Sequence, residues 1–436
     1  MRRVRTAAFK LDGLQKYALA IWFVMLCDPQ WWIASYVGQF FVRVPLIFIA
    51  ILAIAVMMKQ QPGDWLGGLL VWVSIAAINL PFAYDRGQAM QPFRSIVLYY
   101  IIGLCIVRTF RTPRSTTHIL FLLFVGQYLW WGLHGLRHGL VAWHPDLANF
   151  DGYGPLMSTG VGPGYFYATG ASTPRRRKLG YLAAALSVIG VVNSFARGAV
   201  LALCVTVVYI WARSPNKGRT AGYVAAAGLI VAIAASLING KTRGTDTRSS
   251  FWSEMSTMFD DSKGSTGDDR KVLWAAAVKV WEYHPILGAG INNFGPAAAT
   301  EFKIGDVGGS YAENPKRLYD RALHSIYFQI LSEFGLAGVL TFGFLLVQFW
   351  RRNHVLFTPA AAERWRRAGG QGDLRSLALG LESGMVGFLV SGAFFNQMFS
   401  MWFYGLIIAT SLLYHMVKPP TGLQLRTARV AKPRPA

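Results

Sequence analysis

The sequence predicts an all-α membrane protein of about twelve transmembrane helices with a small helical extracytoplasmic cap, and three observations lead there. The chain of 436 residues is 53% hydrophobic and only 15% charged, so charge-poor segments alternate with short charged connectors. Apolar stretches of about 20 residues, enough to cross a bilayer as a helix, recur from Tyr17 to Met416. The formal net charge is +22, and the basic residues collect in alternate connectors. Such a charge in a soluble chain would suggest nucleic acid, but no nucleic-acid module is visible and none is expected as a partner.

Taken in order, the apolar windows place spans at 16–35, 37–58, 64–83, 93–110, 116–134, 155–173, 179–196, 198–213, 220–239, 323–349, 376–395 and 397–416. The opening MRRVRTAAFK leads into an apolar run with no small-residue cleavage site, so the first span reads as uncleaved. With the N-terminus inside, inner connectors carry Lys59, then Arg108, Arg111 and Arg114, then Arg175, Arg176, Arg177 and Lys178, then Arg213, Lys217 and Arg219. Later inner segments hold Arg351, Arg352, Arg364, Arg366, Arg367 and Arg375, and the tail is basic from Lys418. The short outer connectors hold only Arg86, Arg94, Arg137 and Arg197, so the positive-inside rule selects this orientation. The Gly-rich stretch at 155–173 is the weakest span, and a re-entrant segment there would reverse the parity downstream.

The chain therefore divides into nine N-terminal helices (1–239), an extracytoplasmic loop domain (240–322), three C-terminal helices (323–416) and a basic cytoplasmic tail (417–436). The loop domain is near neutral. It runs from a polar Gly/Ser-rich start into a helix from Asp268, then into HPILGAGINNFG, whose proline and glycines end that helix and form a turn. Cys27, Cys105 and Cys204 lie in or beside apolar segments, an odd scattered set with neither disulfide nor metal-ligand spacing, and read as packing residues.

Chemistry concentrates in three places. In NSFARGAV, Arg197 sits between two apolar runs with almost no polar connector; such an arginine either faces a polar cavity or snorkels to the surface, and Gly198 is expected to let the chain turn. In GDDRKVLWAAAVKVWEYHP, Asp268 or Asp269 caps an amphipathic helix with Arg270 in its first turn, where free N–H groups and the dipole favour an anion. The alternative is a surface helix whose Arg270 pairs with the neighbouring aspartates. Trp274 and Trp281 follow at helical spacing and suit either a membrane surface or a sugar face. In DRALHSIYFQILSEFGLAGVL, His324 is expected in the first turn of a long span, where a helix N-terminus favours neutral imidazole; the plain alternative is an interfacial residue.

Other candidates are weaker. His134 and His138 have the i, i+4 spacing of metal ligands without a third ligand, and the pairs Asp260/Asp261 and Asp268/Asp269 suit solvated or capping positions. His284 precedes a proline at a helix end, where it suits the dipole. Trp252, Tyr311 and Arg317 are further candidates for sugar contact. No metal or other cofactor is expected. With no phosphate-binding glycine pattern in a strand-to-helix setting, a nucleotide-driven pump is not expected either.

Under one topology all three places face the outside. Two arginines and a neutral histidine there meet the needs of glycosyl transfer from a lipid diphosphate: charge neutralisation for the leaving group and a base for the attacking hydroxyl. At NSFARGAVLALCV, DRKVLW...YHPILGAGINNF and LHSIYFQILSEFGLAGVLTF the chain resembles the bacterial O-antigen ligase and polymerase superfamily, over roughly residues 179–350. The resemblance implies an inverting, metal-independent glycosyltransferase of the inner membrane, acting at the periplasmic face on an undecaprenyl-diphosphate-linked glycan. It implies that Arg197 and Arg270 bind the diphosphate and that His324 is the general base; Trp274, from its place on the same helix as Arg270, is a further substrate-binding candidate. Ala196 stands where the family often has serine, and Ser325 where it often has asparagine.

Branches of the superfamily differ in acceptor: lipid A core for a ligase, a growing glycan for a polymerase, a protein hydroxyl for an oligosaccharyltransferase. A loop of moderate size that mostly precedes His324 favours the ligase by analogy. A different class is a lipid-glycan flippase or solute carrier, which would place ionisable groups deep in several spans; only Arg43 and the sixth span hint at that. A scaffold in an envelope-polysaccharide complex is the third reading.

Overall fold

The structure, a computed structural model, describes residues 12–27, 66–137, 149–237, 239–241, 248–250 and 266–418. The expected span at 37–58, His138, Trp252, Asp260, Asp261 and the basic tail beyond Lys418 lie outside the described residues. Helix starts follow the local sequence. Asp12 and Gln15 form a capping box for α1 (Gly13–Leu26), and Asp85 accepts the Gly87 and Gln88 N–H groups at 2.8 and 3.1 Å to start the helix Arg86–Thr109. Between them α2 spans Gly67–Asn79, which makes the Arg86–Thr109 helix α3. Thr112 followed by Pro113 opens α4 (Pro113–Phe121), which passes through a π-helical stretch, Leu122–Gly126, into α5 (Gln127–Arg137).

Four described segments are long and apolar enough to cross a membrane: Arg86–Thr109, Pro113–Leu136, Ile326–Leu356 and Leu374–Gly392. Gly13–Leu26, Gly67–Phe82 and Met401–Val417 are apolar but shorter. The chain is thus a predominantly helical multi-pass membrane protein.

The marginal stretch at 155–173 is one helix, α6 (Asn149–Thr169), continuous through Pro155 and Pro163. Its low hydropathy has a packing cause. A Cβ on Gly164 would lie 2.8 Å from the Ala184 nitrogen and 2.9 Å from the Gly180 oxygen, so α6 meets α7 (Pro174–Asn193) backbone to backbone. Ser158 and Thr159 are fully buried, and α6 also packs on the helix Leu374–Gly392. Protein surrounds α6 where lipid would otherwise demand leucine. The chain continues through α8 (Arg197–Arg213) and α9 (Lys217–Leu237) to a two-stranded antiparallel pair, Asn239–Lys241 with Arg248–Ser250.

A second hydrophobic cluster forms from α10 (Thr266–Tyr283), α11 (Phe294–Glu301) and the segment after them, around Leu273, Ala277, Val280, Phe294, Ala298 and Leu318. The chain then enters α12 (Ile326–Leu356), where Gly335 breaks the helix with φ 59° and ψ −156°. The HPILGAG loop docks into this break. Leu336 and Ala337 donate their N–H groups to the Pro285 and Ile286 carbonyls at 2.9 and 3.0 Å, while Ala289 and Gly290 donate to the Ser332 and Glu333 carbonyls at 2.8 and 3.1 Å. The backbone groups freed by the break are met by another backbone, as burial requires. After α12 come α13 (Pro359–Arg367), α14 (Leu374–Gly392) and α15 (Met401–Val417).

The two ends of the bundle differ. At one, the Asp373 N–H meets the Gly170 carbonyl at 3.0 Å, Arg364 donates to the Val417 carbonyl at 2.7 Å, and Arg114 lies against Gly369, so the basic connectors gather there. The 80–85, 194–196, 284–325 and 393–400 segments meet at the other.

Gly288 (φ 71°) and Gly335 (φ 59°) face each other across the docked loop; a Cβ on Gly335 would stand 2.6 Å from the Gly288 nitrogen. Alanine at either adds left-handed strain to a backbone clash and is expected to destabilise by about 2–4 kcal/mol. Thermal melting of detergent-purified Gly288→Ala and Gly335→Ala checks this against Gly343→Ala, which meets open space in the same helix and should not lower the melting temperature.

Candidate functional site

Arg197 opens α8 directly after a tight turn. Phe195 takes a left-handed φ of 54°, and the Ser194 hydroxyl stabilises the turn by donating to the Val191 carbonyl at 2.7 Å and accepting the Ala196 N–H at 3.2 Å. The turn therefore falls at Phe195, where the sequence suggests Gly198. Gly198 is instead a packing residue: a Cβ there would stand 2.6 Å from the Phe394 Cβ and 2.8 Å from Phe395.

His324 does not lie in the first turn of its helix. Ile326 is the first helical residue and Ser325 the cap, and His324 precedes both with a left-handed φ of 51°. The flanking peptide groups are held on both sides. The Ser325 N–H donates to Asn396 Oδ1 at 3.1 Å, and Trp274 Nε1 donates to the Leu323 carbonyl at 3.0 Å. Trp274 also stacks on Phe328, with centroids 5.0 Å apart and planes at 15°, so its N–H and one ring face are committed. Arg270 lies one turn before Trp274 on α10 and, like Arg197 and His324, is half-buried.

These contacts bring the three stretches together at one end of the bundle. The 392–396 segment touches both Gly198 and Ser325, and Ile326 packs on Gly392, so it bridges the Arg197 and His324 stretches. Trp274 bridges the Arg270 and His324 stretches. Asn396 is a participant that the sequence gives no cue for, since its partner lies 71 residues away.

Two further residues escape a sequence reading. Asn79, fully buried at the end of α2, donates to the Leu287 and Glu333 carbonyls at 2.6 and 3.0 Å and accepts the Ile291 N–H at 2.6 Å. Glu333, 4% exposed, accepts the Asn292 N–H at 2.8 Å and Gln329 Nε2 at 3.2 Å. Asn292 itself has φ 55°. Together they clasp the docked loop onto the half-helix that follows His324.

Remaining candidates take structural places. Tyr311 is 1% exposed inside the second cluster with its hydroxyl toward Asp269, which removes it from sugar contact; Arg317 is exposed. Asp269 receives that hydroxyl and does not cap α10, which begins at Thr266. Trp281 Nε1 donates to the Pro285 carbonyl at 3.2 Å, and His134 stacks on Trp130. His284 meets Glu301 at 2.7 Å and the Tyr84 hydroxyl at 3.0 Å, and Tyr84 also donates to Glu301. Burial first, then Glu301, pushes the Tyr84 phenol up. Beside it the Tyr319 hydroxyl donates to Asp85 at 2.7 Å and, with the Gln88 and Gly87 N–H groups, holds the Asp85 carboxyl below the usual range. The 83–85 turn thus straps α2 and α3 to the 284–319 region.

The O-antigen ligase family model matches residues 182–343. That stretch is similar to the O-antigen ligase family. No curated protein matches the chain. The matched stretch runs from within α7 through the docked loop to mid α12, and so includes Arg197, Arg270, Trp274, His324 and Glu333. Asn79 and Asn396, which brace it, lie outside the matched range.

Removing either half of the clasp leaves buried partners unmet, at about 1–3 kcal/mol each. Asn79→Ala and Glu333→Ala are expected to speed hydrogen exchange across 285–293 well before they unfold the bundle. For Asp85 the sign follows from its lowered value: its contribution is complete above the unfolded carboxylate range and is lost as pH falls through the lower folded value. Exchange at 83–88 should therefore rise at acid pH in the wild type and rise less in Tyr319→Phe.

Proposed function

We propose that this protein acts as an O-antigen ligase, transferring a glycan from undecaprenyl diphosphate to an acceptor hydroxyl, foremost that of lipid A core, at the periplasmic face of the bacterial inner membrane. The observation that carries the reading is the convergence of the Arg197, Arg270 and His324 stretches at the end of the bundle away from the basic connectors. About twelve spans, with residues 240–322 as a periplasmic cap, place that end outside under the positive-inside rule.

His324 takes the proton of the acceptor hydroxyl as its oxygen attacks the anomeric carbon. The bond from that carbon to the diphosphate oxygen breaks in the same displacement, which inverts the anomeric configuration. Arg197 and Arg270 neutralise the undecaprenyl diphosphate as it leaves, supplying the charge that a metal supplies elsewhere. Trp274 offers the sugar the ring face turned away from Phe328, and the polyprenyl tail lies among the spans.

The test is transfer in reconstituted membranes from a polyprenyl-diphosphate oligosaccharide to lipid A core. His324→Ala is expected to lower turnover by about 10²–10⁴-fold. Arg197→Ala and Arg270→Ala are expected to lower it by about 10²–10³-fold. Extension of the donor without transfer to core would reassign the protein as a polymerase, and transfer to a protein hydroxyl as an oligosaccharyltransferase. Inertness with every acceptor, or full activity of a folded His324→Ala protein, would refute the catalytic reading and favour a flippase or carrier.

A further inference from the structure

At the basic end of the bundle, remote from the candidate site, a small recess lies where α4, α6, α7 and α14 meet; its space is about 10 Å³, room for a single oxygen-sized group. Thr117, Tyr167, Ser172, Arg176 and Gln371 supply its polar lining. Tyr167 is 5% exposed, its ring packed near Phe121 and Phe124, and among the described residues nothing hydrogen-bonds its buried hydroxyl. A buried hydroxyl in that state carries its full desolvation cost unless something entering the opening meets it.

The surroundings say what would enter. Arg176 stands in the first turn of α7, a 20-residue helix whose positive end points to this mouth, and donates Nη1 to the Gln371 side chain. That bond orients the planar fork and leaves its remaining donors for a second acceptor. Arg175, Arg177 and Lys178 are adjacent in the chain, and Arg114 lies against Gly369 nearby. The neighbouring carboxylate, Asp373, is already used as the cap of α14, accepting the Ser376 N–H and hydroxyl at 2.9 and 2.8 Å.

We infer that this recess seats one oxygen of a phosphate group whose remainder lies at its mouth, with Arg176 and the Tyr167 hydroxyl as its donors. Basic recesses between spans at the cytoplasmic face suit anionic lipid head groups, and free phosphate offers the same chemistry. The site is independent of the transferase reading and survives its failure.

The experiment is thermal melting of the purified full chain in neutral detergent, titrated with phosphatidylglycerol, with diacylglycerol of the same chains, and with inorganic phosphate. Phosphatidylglycerol is expected to raise the melting temperature of the wild type, and diacylglycerol is not. Tyr167→Phe, which keeps the ring, should raise the half-saturating concentration about tenfold, and Arg176→Gln by more. Arg351→Gln, an exposed basic residue at the same end, should leave it unchanged. An equal, Tyr167-dependent response to inorganic phosphate would identify the ligand as free phosphate and uphold the site. Wild-type responses from a folded Tyr167→Phe, or equal stabilisation by diacylglycerol, would overturn it; Tyr167→Phe decides alone if Arg176→Gln does not fold.

Discussion

The break at Gly335 is the constraint on which the rest depends. A helix interrupted inside packed protein exposes carbonyls and N–H groups that water cannot reach, and each costs about 1–3 kcal/mol if left unmet. Here the donors of Leu336 and Ala337 and the acceptors of Ser332 and Glu333 are all met by residues 285–290. The loop must therefore lie against α12 in one register, and Gly288 and Gly335 are the residues whose missing side chains allow it. Everything attached to the loop inherits that register: α10 with Arg270 on one side, the half-helix after His324 on the other.

The side chains around the break make the fit specific. Asn79 reads both the loop and the helix, with its amide shared between Leu287, Ile291 and Glu333. The Glu333 carboxylate takes a backbone N–H from Asn292. Apolar residues in these places would fill the same buried space but would leave the loop free to slide. A buried polar network that is met at this many points favours one arrangement over its neighbours. This is how a segment more than 200 residues away in sequence, the end of α2, holds the geometry around His324.

Much of this was legible in the sequence, and what was not has a common cause. Caps such as Asp12, Asp85, Thr112 and Asp373 announce their helices locally, and apolar length announces the four long spans. Arg197 stands out because an arginine between apolar runs is costly, Arg270 because it falls in the first turn of a helix, and His324 because it opens a long apolar run. Asn79, Asn396 and Glu333 do not stand out, because each acts on a partner distant in the chain and looks like an ordinary polar residue near a helix end. Gly335 reads as a tolerated glycine in an apolar run, since only the docked loop turns it into a break. The Gly-rich α6 reads as a poor span for the converse reason: hydropathy assumes lipid neighbours, and Gly164 and Gly180 have backbone neighbours instead. Gly198 resembles a turn glycine, yet the turn fell on Phe195 because the ring pair Phe394 and Phe395 had already claimed the space over Gly198.

The same ring pair shows why Arg197 is held as firmly as His324. α8 and α14 pack on each other and are joined at two points, one beyond the end of α14 and one near its middle. At the first, Gly198 seats against Phe394 and Phe395; at the second, Arg213 meets Glu382 at 3.2 Å, and the Tyr209 hydroxyl donates to the same carboxylate. Glu382 is only 7% exposed, so removing either partner would leave a buried charge poorly compensated. With both joints closed, α8 has little freedom to slide or turn against α14. Asn396, just beyond α14, is then fixed relative to Arg197, and through the Ser325 N–H it fixes the chain at His324. A charge pair near the middle of α14 thus contributes to the placement of Arg197 and His324, which it never touches.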